Sequence, residues 1–297
     1  MMERITLAHV SDLHLTAEDG AARSEVRLLG GLRGMNRNFG RLLADPPLRR
    51  ADLVVVTGDV TDRGDLAAWE RFWEMAETAG LAGRLAVLPG NHDVCCLGLR
   101  RTRPRVEDWA RMRAGLARGG HESAFPWIRR LGTDAALFAV DSTNAGNASA
   151  LDNARGRLGR EQLVALGRAL ALYADVPHKF LLLHHSPNIP EAATSRRRGE
   201  APTPWWERGA MQLDPFDRRA LRLLAAVFRV KAILHGHTHD SLDRMVGGVR
   251  IVGAPAATEP DAAGALRYKL LTLYPESGRL QARLRRVFPS AEKPVNR

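Results

Sequence analysis

The chain has 297 residues, 45% hydrophobic and 26% charged, a globular composition long enough for one large core or two small ones. No apolar run approaches the ~20 residues that a membrane-crossing helix needs, and the start, Met1-Met2-Glu3-Arg4-Ile5, lacks the basic head, apolar middle and cleavage site of a signal peptide. The formal net charge is +11, with only four lysines among 44 basic residues, which favours an anionic partner: a phosphoester, nucleic acid or a membrane surface.

The two cysteines, Cys95 and Cys96, are neighbours. Adjacent cysteines make a strained disulfide, so they predict a reduced, cytoplasmic protein and are read as small hydrophobes near a core. Ile5–Val10 predicts a buried strand that ends in Ser11-Asp12-Leu13-His14. Residues two apart in extended chain share a face, so Asp12 and His14 can address one object, and a carboxylate with an imidazole suits a first-row transition metal. Residues 22–44 predict a helix, weakened by Gly30, Gly31 and Gly34 and ended by Asp45-Pro46-Pro47. Asp52–Thr57 is β-branched and apolar, as in a parallel strand buried on both faces, and it empties into Gly58-Asp59. Asp62 and Asp65 are assigned to a turn and to the cap of a helix over 65–79, whose stripe is Leu66, Trp69, Phe72, Trp73 and Ala76.

Leu85–Leu88 predicts the strand around which the rest is organised. It breaks at Pro89-Gly90 and delivers Asn91, His92 and Asp93 from its rim. Residues 94–135 are rich in arginine and predict either a basic cap over the site or a solvated helical connection. Ala135–Val140 predicts a strand followed by Asp141 and Asn144 in ordinary turn roles, and residues 160–174 a helix. Phe180–Leu183 predicts a strand ending in His184-His185-Ser186-Pro187. Residues 188–214 read as a loop insertion carrying Arg196–Arg198 and Trp205-Trp206, a length that is usually functional or disordered. A helix over 215–229 and a strand over 230–234 lead to His235-Gly236-His237-Thr238-His239. Residues 249–287 alternate apolar and polar side chains and predict an antiparallel meander, and 288–297 a loose tail. A single domain over 1–287 is the expected organisation.

Five strand exits thus carry Asp12 with His14, Asp59, Asn91 with His92, His184 with His185, and His237 with His239. Carboxyl ends of strands in α/β sheets gather at one rim, where ligands bind. So many unpaired polar groups there would be costly without bound cations. The blocks Asp-x-His, Gly-Asp, Gly-Asn-His-Asp, His-His and Gly-His-Thr-His, in this order, resemble the calcineurin-like metallophosphoesterase superfamily over roughly residues 5–253. The resemblance implies an α/β four-layer sandwich, two mixed β-sheets packed face to face with helices on the outside, and a dinuclear metal centre. It implies that Asp12, His14 and His239 hold one ion, that Asn91, His184 and His237 hold the other, and that Asp59 bridges them. His92 would contact phosphate and assist the leaving oxygen, with Asp93 orienting it, while a hydroxide between the ions attacks phosphorus. The oxygen and nitrogen donors suit Mn²⁺, Fe²⁺/Fe³⁺ or Zn²⁺, and His185 and His235 are expected to be supporting or structural.

The expected activity is a metal-dependent phosphohydrolase, foremost a phosphodiesterase on a small phosphoester. The chain looks like the branch that includes cyclic-nucleotide and glycerophosphodiester hydrolases, which often has His-His-Pro-Pro where this chain has His184-His185-Ser186-Pro187. The alternatives are a nuclease or nucleic-acid phosphoesterase, suggested by the charge, and a lipid-linked (nucleotide) diphosphate hydrolase in peripheral contact with a membrane, suggested by Trp205-Trp206 beside Arg196–Arg198. A metal-free scaffold of the same fold is disfavoured because all seven ligand positions are filled.

Overall fold

A computed structural model describes residues 4–23, 32–94, 106–121, 124–143, 154–188 and 212–289. Cys95, Cys96, Asn144, Arg196–Arg198 and Trp205-Trp206 lie outside the described residues, as do the first part of the 94–135 segment, most of the 188–214 insertion and nearly all of the tail.

The first three strands are β1 (Ile5–Val10), β2 (Leu53–Thr57) and β3 (Leu85–Leu88); next come β4 (Trp127–Leu131), β5 (Ala135–Ala139), β6 (His178–Leu182) and β7 (Ala232–His235). The chain closes with β8 (Leu242–Val246), β9 (Val249–Gly253), β10 (Leu266–Tyr274) and β11 (Arg279–Val287). One sheet has the order β11-β10-β1-β2-β3 and the other β4-β5-β6-β7-β9-β8. The longer helices are α1 Met35–Leu43, α2 Leu66–Thr78, α3 Val106–Arg118, α4 Arg160–Leu172 and α5 Pro215–Val227.

Side-chain alternation along the strands builds the layers. On β1, Ile5 and Leu7 face the other sheet, where they meet Leu137, Phe180 and Leu234, while Ala8 and Val10 face outward to Phe39, Trp69 and Phe72 of α1 and α2. On β6, Phe180 and Leu182 face inward and Leu181 faces Leu166, Leu170 and Leu221 of α4 and α5. Three apolar layers therefore separate helices, sheet, sheet and helices, which is the expected four-layer sandwich. β2 lies between two parallel neighbours and is buried along its length, as its β-branched run predicts.

Three expectations need correction. Of the helix expected over 22–44, residues 24–31 lie outside the described residues; Ala22 pairs with Arg33 in an isolated bridge, and the described helix starts at Met35, after Gly34 in a left-handed backbone (φ 78°). The expected 249–287 meander is divided: β9 pairs with β7 and β8, whereas β10 and β11 form a hairpin that joins the other sheet beside β1. Alternation identifies a half-buried strand but carries no information on its partner. Asp65 stands at the start of α2 yet makes no side-chain cap hydrogen bond. The described part of 94–135 is α3 and the edge strand β4; α3 packs on α2, with Gly115 against Trp69 and Trp73 Nε1 donating to the Gly115 carbonyl at 2.7 Å.

Candidate metal centre

The exits of β1, β2 and β3 in one sheet and of β6 and β7 in the other meet at a single rim. Three groups of side chains each bring their ligand atoms within 4.8 Å of one another: Asp12, His14 and His239; Asp59, His184 and His237; and His14, Asp59 and His92. Asp59 belongs to two of them. Its Oδ2 lies 3.3 Å from His184 Nε2 and 3.7 Å from His14 Nε2. Asn91 joins the second group, its Oδ1 3.1 Å from His184 Nε2, and His239 Nε2 lies 3.5 Å from Asp12 Oδ1. All are buried except His239, whose side chain is 25% exposed and marks the open side.

The backbone is strained to present these side chains. Among the described residues, the non-glycine positions with positive φ are Asp12, His14, Asp59, His237, His239 and Arg229. All but Arg229 are expected ligands. A left-handed conformation costs such residues of order 1–2 kcal/mol each, so it persists only where the surroundings enforce it, and it gathers at functional sites. Glycines let the loops cross. A Cβ on Gly58 (φ 101°) would fall 2.5 Å from His184 Nδ1, and one on Gly90 would fall 2.1 Å from Asp59 Oδ1. That close approach is the physical content of Gly-Asp and Gly-Asn-His-Asp.

The residues fit a pair of cations. Burial keeps His14 neutral, well below the usual imidazole range, and lowers His237 to about 3. Burial works against charge on Asp59, but His184 and His92 hold its carboxyl well below the usual range. Burial likewise opposes charge on His184, yet Asp59 and then Asp12 bring it up to about 9. His14 and His237 are already in the neutral, ligating form, and the positive charge that Asp59 favours on His184 is the charge a bound cation would supply instead. Among the described residues, His237 Nε2 and His14 Nδ1 are buried without a hydrogen-bond partner, which is costly unless something else satisfies them. His184 Nδ1 lies 2.7 Å from the Thr57 carbonyl, which fixes the ring and leaves Nε2 to the site.

The family model for calcineurin-like phosphoesterases matches residues 5–241. The chain belongs to the calcineurin-like phosphoesterase family. The 3',5'-cyclic adenosine monophosphate phosphodiesterase CpdA of Pseudomonas aeruginosa is 27% identical over 299 residues, covering 95% of this chain and 90% of that protein. A cAMP/cGMP dual specificity phosphodiesterase of Mycobacterium tuberculosis is 27% identical over 256 residues, 84% of this chain and 66% of that protein. In fold, the chain is similar to a dimetal phosphatase from Danio rerio, with a TM-score of 0.60 at 12% identity over 96% of this chain and 99% of that one. The ligand groups of this calcineurin-like phosphoesterase indicate a dinuclear metal centre.

The phosphoesterase places two expected residues differently and adds two more. The Asp93 carboxylate faces the backbone of the β2 and β3 exits. Its Oδ2 accepts from Gly90 N at 2.8 Å and Val60 N at 3.1 Å, and its Oδ1 from Thr61 N and Oγ1, both at 2.8 Å. It ties the β2 and β3 exits together. The His92 ring instead meets Asp62, with Nδ1 3.1 Å from the Asp62 carbonyl and 4.0 Å from its Oδ1, so the buried Asp62 lies in a bend and also against the site. His185 Nδ1 lies 2.9 Å from Ser142 Oγ and its ring packs on His237, whereas His235 Nδ1 lies 2.9 Å from the Gly236 carbonyl. Arg23 and Glu259 were not foreseen. Arg23 is fully buried, its Nη2 3.0 Å from His14 Nε2 and its Nη1 paired with Glu259, which also holds His239 Nδ1 at 3.1 Å. Nothing local marks Arg23 among so many arginines, and Glu259 follows β9 outside any motif.

Proposed function

We propose that this phosphoesterase hydrolyses a cyclic nucleoside monophosphate, opening the ring at one P–O bond. The observation that carries the reading is Asp59, one carboxylate common to two adjacent ligand groups; the names of the CpdA relatives supply the substrate class. Asp12, His14 and His239 would hold one ion, Asn91, His184 and His237 the other, with Asp59 between them. Mn²⁺, Fe²⁺/Fe³⁺ and Zn²⁺ all suit this oxygen and nitrogen set. When bound, such ions supply Lewis acidity to the phosphoryl group and an activated water at neutral pH.

The chain's own residues supply the rest. His92 is the proton carrier: its Nδ1–H donates to the Asp62 carbonyl, so Nε2 is the atom that exchanges a proton with the leaving oxygen. Asp93 holds the loop that sets His92, acting as a positioning residue. Burial of the other six expected ligands, with His239 alone partly exposed at 25%, limits bulk water. The adjacent cysteines support a cytoplasmic enzyme.

The test is turnover of cAMP, cGMP, a glycerophosphodiester and single-stranded DNA by protein loaded with Mn²⁺, beside the same protein in chelator. Cyclic nucleotide hydrolysis that chelator abolishes is expected. A preference for DNA would overturn the substrate class, and inactivity on every ester would overturn the reading.

A further inference from the structure

The two outer helix layers differ in what they show to solvent. Among the described residues, α1 and α2 expose one large apolar side chain, Leu66, whereas α4 and α5 expose Val164, Leu172, Phe216, Leu223 and Val227. Leu172 and Phe216 are 80% and 85% exposed, Leu223 and Val227 64% and 63%. Phe216, Leu223 and Val227 recur at i, i+7 and i+11, so they form one line along the outer side of α5. The other side of α5, with Leu221 and Ala225, is buried in the core. On α4, Val164, Arg168 and Leu172 recur every fourth residue and are exposed. The two helices lie side by side, since a Cβ on Gly167 of α4 would fall 3.5 Å from Leu224 of α5. Their exposed stripes therefore share one surface. A cluster of this kind, unlike a single exposed leucine, marks an interaction site.

The charges around the patch identify its partner. The two helices carry five arginines, Arg160, Arg168, Arg218, Arg219 and Arg222, against two carboxylates. One of these, Asp217, is buried and accepts from Leu158 N at 2.6 Å; the other, Glu161, stands at the start of α4. Just past α5, Arg229, Lys231 and Arg279 wall a cleft of about 490 Å³ together with Arg250, which pairs with Asp243 at 2.9 Å. A second copy docked through this face would set these cations against their own equivalents, so the partner is anionic. The apolar tips run along about 16 Å of α5, at 1.5 Å per residue. A protein partner draws its affinity from a few anchors seated in pockets, whereas a bilayer sums separate insertions and lets guanidinium groups stay at headgroup level. We propose that the outer face of α4 and α5 docks on an anionic lipid bilayer. Phe216, Leu223, Val227 and Leu172 enter the interface, and Arg168, Arg219 and Arg229 meet lipid phosphates. The metal centre lies at the strand exits and not on this face, and the proposal is independent of the phosphodiesterase reading.

The test is flotation of the full chain with vesicles of phosphatidylcholine alone and of phosphatidylcholine with an equal part of phosphatidylglycerol. Two double variants accompany the wild type: L223Q/V227Q, which removes apolar tips, and R168Q/R219Q, which removes charge. All four side chains are exposed, so melting temperature and metal content should match the wild type. The wild type should float with the anionic vesicles and not with the neutral ones. Loss of two arginines should weaken partitioning about fivefold for each, and L223Q/V227Q about 10- to 100-fold. Wild-type protein that stays off the anionic vesicles would overturn the proposal, as would undiminished flotation of L223Q/V227Q, which would assign binding to overall charge. Light scattering of the non-floating protein then separates the rivals. A dimer that L223Q/V227Q dissociates would give the face to a second copy, and a monomer would leave it to an acidic protein; either result overturns docking on lipid. Flotation needs no turnover, so a chain inactive on every ester would refute the phosphodiesterase reading alone.

Discussion

His92 and Asp93 are adjacent in sequence yet face different tasks. The His92 ring meets Asp62, whereas the Asp93 carboxylate takes two backbone N–H groups of the β2 exit, one of the β3 exit and the Thr61 hydroxyl. Removing each should therefore fail differently. His92→Ala should keep its metals and lose about 10²- to 10⁴-fold in kcat, the usual worth of a general acid. The loss should be larger for a cyclic nucleotide, whose departing alkoxide needs a proton, than for a p-nitrophenyl ester, whose departing phenolate does not. Equal losses on both substrates would refute the proton-carrier role. Asp93→Ala leaves buried N–H groups of two loops unsatisfied, at roughly 1–3 kcal/mol each. Its signature should be a lowered melting temperature together with lost metal, and full stability with a purely kinetic defect would contradict the positioning role.

The elements show which parts of the site were legible and why. Apolar runs such as Leu53–Thr57 announce their strands because burial on both faces demands β-branched residues, and the polar residues after them mark the exits. Ligands placed at strand ends could be read this way. Arg23 and Glu259 could not, because they sit on connections with no periodicity, and only the packing of two loops brings them together. Asp62 sits in a bend, as an aspartate after a strand ordinarily does, and only the fold shows that its buried side chain also lies 3.8 Å from His14. Gly58 and Gly20 separate conformational strain from site geometry. Both have positive φ, 101° and 82°, but a Cβ on Gly20 meets nothing within 4 Å whereas one on Gly58 strikes His184. Gly20→Ala should cost about 1 kcal/mol, the backbone strain alone. Gly58→Ala should cost more in chemical denaturation and also reduce bound metal. Equal effects would mean that the crossing of the β2 exit with His184 does not set the site.

At the scale of the whole molecule, the two sheets meet over an apolar layer that turns polar beneath the centre. His9 is fully buried there, with Nε2 2.9 Å from Thr57 Oγ1, and burial first, then His235 and Lys269, push it down to about 3. An unfolded histidine titrates near 6.5, so the unfolded chain binds a proton that the folded one refuses. The stability held by neutral His9 is complete above pH 6.5 and is lost as pH falls toward 3, by up to about 1.4 kcal/mol per pH unit. Denaturation of wild type and His9→Gln at several pH values between 7.5 and 5 should show the gap between them closing or reversing on the acid side. A gap independent of pH would mean that His9 is not held neutral. Whether the two sheets converge on one functional centre is decided by Asp59, which lies in reach of ligands from both: His14 after β1 and His184 after β6. The most direct measurement is the number of Mn²⁺ or Zn²⁺ ions per chain, by plasma emission after dialysis, in wild type and in Asp59→Asn. Two ions in the wild type and fewer than one in the variant are predicted; a wild type that binds one or none, or a variant that keeps both, would contradict a centre bridged by Asp59.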